Sequence, residues 1–235
     1  MEEQNLVDRT YNFILTKIVE TGQAPHYTEI ATALGVPMEE GRKVLHDLIS
    51  QSGAAWLFPG TDYITSFPPF NNLPTQYRIT VNGQQKWFGQ WGFESLAVSW
   101  LFPGKTVQID FPCLDCGMPV HIEMLDGVVL KAEPKNLMGY VSVPYARWSK
   151  QLSYTWSTMN LFRSEEHIRN WVQFDPESEE GIISLDDIIK LFSCDHFRRR
   201  LEPDYFSRKA EYRAKLFMIL AEMGKKRPFW LPPNP

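Results

Sequence analysis

Cysteine is scarce: the chain carries three among 235 residues. An odd and small number excludes a disulfide framework and leaves each thiol to burial or to metal. No apolar run approaches the roughly 18 residues that span a bilayer. The opening MEEQNLVDRT is acidic where a secretory leader would be basic and then apolar. The expectations are no membrane contact and a cytoplasmic address. Positive charge is also short. Twenty-four Lys and Arg stand against 28 Asp and Glu, a formal net of −4, so composition does not advertise a nucleic-acid or anionic-membrane surface. Repeats and low-complexity tracts are absent. What is present is apolar: 43% hydrophobic and 14% aromatic residues can bury one large core or two small ones and exclude disorder as the main state.

Turn formers divide the chain near residue 70. In the first unit, residues 1–70, Leu6, Phe13, Ile14 and Ile18 share one helical face, and the spacing predicts a helix over 6–21 stopped by Gly22. Thr28 is the expected cap of a second helix with Ile30, Ala31 and Leu34 buried and Gly35 at its end. Pro37 opens a third, whose apolar face is Val44, Leu45, Leu48 and Ile49. Two short β-prone pieces follow, on either side of Pro59-Gly60. Three helices and a small hairpin is the order of a winged helix-turn-helix. Its charge argues against DNA, because residues 1–70 hold four basic against nine acidic side chains and a groove reader must neutralise phosphate. A packing or lid role is the expectation.

The second unit, residues 71–235, opens with a hairpin turning at Asn82-Gly83. Phe93, Leu96, Ala97, Trp100 and Leu101 recur with helical period, three strands are expected between Thr106 and Ala132, and the stretch from Tyr140 to Leu161 is irregular and β-prone. Ser164 caps one helix. A second is predicted from Ser184 to about Arg199, a third from Ser207 to Met223 with Gly224 as its stop, and Arg227 to Pro233 is an apolar tail over the body. The class is therefore α+β, a helical domain packed on a mixed, mainly antiparallel β core with C-terminal helices.

One local pattern carries chemistry. Cys113-Leu114-Asp115-Cys116-Gly117 places two sulfurs at i and i+3 of a turn between strands, half of a zinc knuckle or a redox dithiol. The other half is not spelled out by any second knuckle; Cys194, His26, His46, His121, His167 and His196 are the remaining donors, and two small buried thiols in a turn are the plainer alternative. Cys194 lies in a predicted helix, where a small apolar residue needs no role. His167 reads as a surface or capping histidine. The run Arg198-Arg199-Arg200 is interleaved downstream with acids and reads as a solvated face. Trp91, Trp148 and Trp156 either line a pocket or fill the core.

The order Phe67-Pro68-Pro69-Phe70, a hairpin, Trp91-Gly92-Phe93-Glu94-Ser95-Leu96, then Cys113 with Cys116-Gly117-Met118-Pro119-Val120, and later Met159-Asn160-Leu161-Phe162-Arg163-Ser164, resembles the alkylmercury lyase (organomercurial lyase) family over nearly the whole chain. The resemblance implies a ligand cleft between a helical domain and a β core. It also implies a reaction, protonolysis of a carbon–mercury bond by two thiolates that ligate the metal and an acid that protonates the carbon. The family places its first cysteine where this chain has Gly92, its acid at Ser95 and its second cysteine at Trp156 or Ser157, while Cys113 matches a structural cysteine. None of the three chemical groups is present.

Three readings follow. A divergent relative binds a small ligand, or runs another lyase-type reaction, in a cleft lined by Trp91, Ser95, Trp156 and Ser157. An organomercurial or soft-metal enzyme uses Cys113 and Cys116, holding zinc or mercury, with Asp115 or Glu94 as acid. A non-enzymatic, metal-responsive regulator is the third. No cofactor is required by the sequence, nucleic acid is not an expected partner, and the oligomeric state is left open.

Overall fold

The computed structural model describes residues 5–150, 155, 157–172 and 176–231. Trp156, one of the residues expected to line the cleft, lies outside them. The first helices are α1 (Leu6–Thr21), α2 (Tyr27–Leu34) and α3 (Met38–Ser52). Asn5 caps α1, its side chain accepting from Val7 and Asp8 N–H, and Gly22 ends it at φ +79°. The cap of α2 is His26, one residue before the helix, and not Thr28. Its ring accepts from Thr28 N–H while Glu29 accepts from the His26 N–H, a reciprocal box that a histidine can close as a serine would. Ile14, Leu15 and Ile18 of α1 are buried together with Val44, Leu45 and Leu48 of α3.

Eight strands form one antiparallel sheet: β1 (Trp56–Leu57), β2 (Ile64–Phe67), β3 (Phe70–Asn71), β4 (Arg78–Val81), β5 (Gln84–Gly89), β6 (Val107–Pro112), β7 (Pro119–Leu125) and β8 (Val128–Glu133). Their spatial order is β1-β2-β3-β5-β4-β6-β7-β8, so the strands of residues 56–71 continue directly into the later hairpins. Strict alternation buries Val107, Ile109 and Phe111 of β6 with Val120, Ile122 and Met124 of β7. A second antiparallel sheet, β10-β9-β11, comprises β9 (Met138–Tyr140), β10 (Asn160–Phe162) and β11 (Ile182–Ser184).

Helix α4 (Gly92–Ala97), continued by a 3-10 turn Val98–Leu101, lies between β5 and β6 in the chain. After it come α5 (Glu165–Trp171), α6 (Leu185–Phe192), α7 (Asp195–Arg198), α8 (Tyr205–Tyr212) and α9 (Ala214–Lys226). Several predicted boundaries move, among them the helix expected from Ser207, which starts at Tyr205 and is interrupted at Arg213 between α8 and α9. The helix expected over 184–199 breaks at Ser193-Cys194, and Cys194 sits in extended backbone as the cap of α7. Gly224 does not stop its helix; a Cβ there would meet Leu231 atoms at 2.8–2.9 Å, so glycine serves the close approach of the tail, and the helix runs on to Lys226 before Pro228. Over its described residues, 227–231, the tail packs on the body, with Phe229 buried and Trp230 fully so. No described helix is long and apolar enough to cross a membrane.

Candidate metal centre and the positions on helix α4

Trp91, in extended backbone, starts α4 and packs edge-on against Trp56 at 5.2 Å. Gly92 follows, pressed against β10: a Cβ on it would lie 2.8 Å from Tyr77 Oη, 2.9 Å from Leu161 N and 2.9 Å from Met159 O. Two of those three neighbours are backbone, so a side chain at 92 has no room to enter. Phe93 N–H donates to Met159 O at 3.3 Å, and Tyr77 Oη–H donates to Asn160 Oδ1 at 2.9 Å, which fix the helix start to that strand. Burial pushes the Tyr77 hydroxyl pKa up, so it stays a neutral donor.

Ser95 is 0% exposed. Its hydroxyl donates to Trp91 O at 2.6 Å, and it is pressed so close to Gly89 that a Cβ there would fall 1.9 Å from Ser95 Oγ. Glu94 is likewise buried, and its two oxygens accept from Arg200 Nη1 at 2.9 Å and Nη2 at 3.3 Å. Burial works against the Arg200 charge, and Glu94 together with Tyr205 and Tyr11 more than offsets it, so Arg200 stays protonated. Ser157 is exposed, and its carbonyl accepts from Asn160 Nδ2 at 2.9 Å. The α4 positions singled out from sequence are thus packed among strands, with no side chain presented to a ligand at 92 and with Ser95 and Glu94 committed to internal partners.

The turn between β6 and β7 is different. Cys113 N–H donates to Met118 O and Gly117 N–H to Cys113 O, both at 2.9 Å, with Gly117 at φ +69° closing the loop. This geometry turns Cys113 inward, 2% exposed, and leaves Cys116 exposed. Helix α5 then brings in a third donor. Ser164 caps α5 by accepting from His167 N–H, and Arg163 Nη1 donates to Pro119 O at 2.6 Å, tying the start of that helix to β7. One ligand atom each from Cys113, Cys116 and His167 falls within 4.8 Å of the others. His167 Nδ1 lies 2.6 Å from Asp115 Oδ2, and Asn170 Nδ2 donates to the same oxygen at 3.4 Å. With Nδ1 engaged by a carboxylate, Nε2 is the nitrogen left to bind, the carboxylate–imidazole pairing that orients histidines in metal sites. Two thiols and an imidazole suit a soft or borderline ion such as zinc or mercury.

The CxxC half of this centre is visible in the sequence; His167 is there only one of several remaining donors, read as a surface or capping histidine, because it stands 52 residues from Asp115 and reaches it only through the docking of α5. A serine cap that points a histidine back toward a preceding strand is the one local signal. Cys194 stays apart as a buried thiol whose pKa burial raises.

Comparison with known proteins agrees with this fold. The family model described as alkylmercury lyase matches residues 70–193, which include α4, the cysteine turn and His167. The alkylmercury lyases of Bacillus cereus and Clostridium butyricum are each 23% identical to this chain over 184 residues, 75% of this chain and 76% of each relative. That of Staphylococcus epidermidis is 24% identical over 184 residues. A solved structure described as the mercury-bound form of MerB2 covers 85% of this chain and 98% of its own, with a TM-score of 0.58 at 18% identity, a likeness of fold.

Proposed function

The chain belongs to the alkylmercury lyase family, and from that premise we propose that it binds a soft or borderline metal ion, zinc or mercury, through Cys113, Cys116 and His167, while its α4 residues no longer run carbon–mercury protonolysis. The observation that carries this is the contrast between three donor atoms within 4.8 Å and a family-equivalent helix sealed at Gly92 and Ser95. Protonolysis needs thiolates and an acid facing a common space. Gly92 has no side chain, Ser95 is no acid, and Glu94 is buried with both carboxyl oxygens taken up by Arg200.

The ligand is then a small metal species and not a polymer. Residues 1–70, with their acidic excess and winged-helix order, serve as a packing unit with no role on nucleic acid. The work of a dithiol ligand set belongs in a reducing compartment, which fits a cytoplasmic protein.

The test uses the full chain purified under reducing conditions. Elemental analysis is expected to find one zinc, or one mercury after exposure to mercuric salt, per chain, and a Cys113→Ser/Cys116→Ser double substitution is expected to remove it. Incubation with a simple organomercurial is expected to release no hydrocarbon above buffer. One observation favours a second reading, namely the Asp115–His167 pair beside both thiols, which supplies an acid to a relocated lyase centre. Hydrocarbon release that disappears in the double variant would establish that reading. Metal content unchanged by the double variant would remove both.

A further inference from the structure

A tetrahedral ion wants four ligands, and closed structural zinc sites draw all four from protein. The chain has three cysteines and five histidines, and every one of them is among the described residues. Five are accounted for away from the centre. His26 caps α2, His46 lies 2.8 Å from Asp62, and His121 bridges Asp110 and Glu123. His196 lies 2.8 Å from Tyr205 Oη, and Cys194 is buried at the start of α7. Among the described residues, the group that can hold an ion stops at Cys113, Cys116 and His167. Asp115 is the nearest carboxylate by sequence, but it is committed to His167 Nδ1 and Asn170, the place of an orienting group and not of a fourth ligand.

The missing position is also reachable. Cys116 is exposed, and the turn beyond it is open, since a Cβ on Gly117 would meet nothing within 4 Å. A groove of about 450 Å³, lined by Gln76, Arg78, Pro112, Gly117 and Pro119 but by none of the three donors, adjoins the same turn at Gly117. A buried knuckle that only braces two strands would show neither feature.

We infer that the Cys113–Cys116–His167 centre is an open one: the ion it holds keeps its fourth position for water, exchangeable for a small monodentate anion that enters beside Gly117. The inference rests on the metal-binding reading above and adds to it the exchangeable ligand. It makes the centre a reactive or acquisitive site, because three protein ligands with a free position are the arrangement from which zinc activates water or accepts an incoming donor.

Cobalt(II) substitution of the full chain tests it. A single cobalt per chain is expected to give visible bands of a four-coordinate, thiolate-bound ion, and azide is expected to shift them saturably with a stoichiometry of one. Asp115→Asn is expected to weaken cobalt binding by 10- to 100-fold, the usual cost of losing an orienting carboxylate. Bands indifferent to azide in a protein that stays monomeric would show a site closed by a fourth ligand from the chain, and overturn the inference. Indifference accompanied by metal-dependent dimerisation would assign the fourth ligand to a second copy, with the same result. Failure to bind cobalt, zinc or mercury at all would instead remove the underlying metal-binding reading.

Discussion

Glu94 and Arg200 meet inside the protein with side-chain exposures of only 2% and 4%. Two charges taken out of water repay their desolvation only while both are present, so removing one is far more costly than never having had either. Glu94→Gln is expected to destabilise the protein by about 3–5 kcal/mol in denaturant unfolding, because the Arg200 guanidinium stays charged among Phe197, Tyr11 and Tyr205. A Glu94→Leu/Arg200→Met double variant is expected to recover most of that loss. A Glu94→Gln protein of full stability would mean the carboxylate is not structural and would return it to the list of acids. Legibility at this scale follows sequence distance. Cys113 and Cys116 declare themselves because their spacing is local. Glu94 is visible as a carboxylate on a helix, but its partner is 106 residues away and sits in a basic run that reads as solvated. His167 is hidden in the same manner, by a contact that only tertiary docking makes.

Among the elements, those whose caps and apolar period agree are readable: α1 between Asn5 and Gly22, the hairpin at Asn82-Gly83 and the alternating β6 and β7. Where a glycine answers to packing, the local rule misleads, as at Gly224. Gly92 is the sharper case, since it opens α4 as a helix start would, yet its smallness is demanded by β10. Gly92→Cys would restore a thiol at the family position and is expected to cost about 1–3 kcal/mol as an overpacked site, since Leu161 N and Met159 O are backbone and cannot rotate away. The added thiol is expected to resist modification in the native protein and to confer no hydrocarbon release from an organomercurial. A stable Gly92→Cys protein that gains turnover would show that β10 moves and that the helix still faces a working space.

On the scale of the whole molecule, α1 and the C-terminal helices close on one another around buried polar groups. Tyr11 of α1 stacks on Tyr205 of α8 at 5.0 Å, Asn12 Nδ2 donates to Leu201 O, and Ser207 N–H donates to Asp8 Oδ1. His196 of α7 lies in this seam, 5% exposed, and desolvation, joined by the charges of Arg200, Arg213 and Lys209, holds its pKa well below the ordinary 6.5. Lys209 itself, half sunk against Phe206, is pushed down to about 8 by burial. The sign for His196 follows. The unfolded chain takes up a proton near pH 6.5 that the native protein refuses, so native stability attributable to His196 is complete above that pH. Below it, stability falls as pH falls, by up to about 1.4 kcal/mol per unit. His121 contributes in the opposite sense, because its Asp110 and Glu123 hydrogen bonds together outweigh its partial desolvation and raise its pKa. The difference between wild type and His196→Gln isolates the effect. The unfolding free-energy gap between them is expected to narrow steadily as pH is lowered from 7.5 to 5, and to reverse if the variant's own packing cost is small. Parallel stability curves over that range would place His196 in contact with water and break the account of a sealed seam between the first helix and the last three.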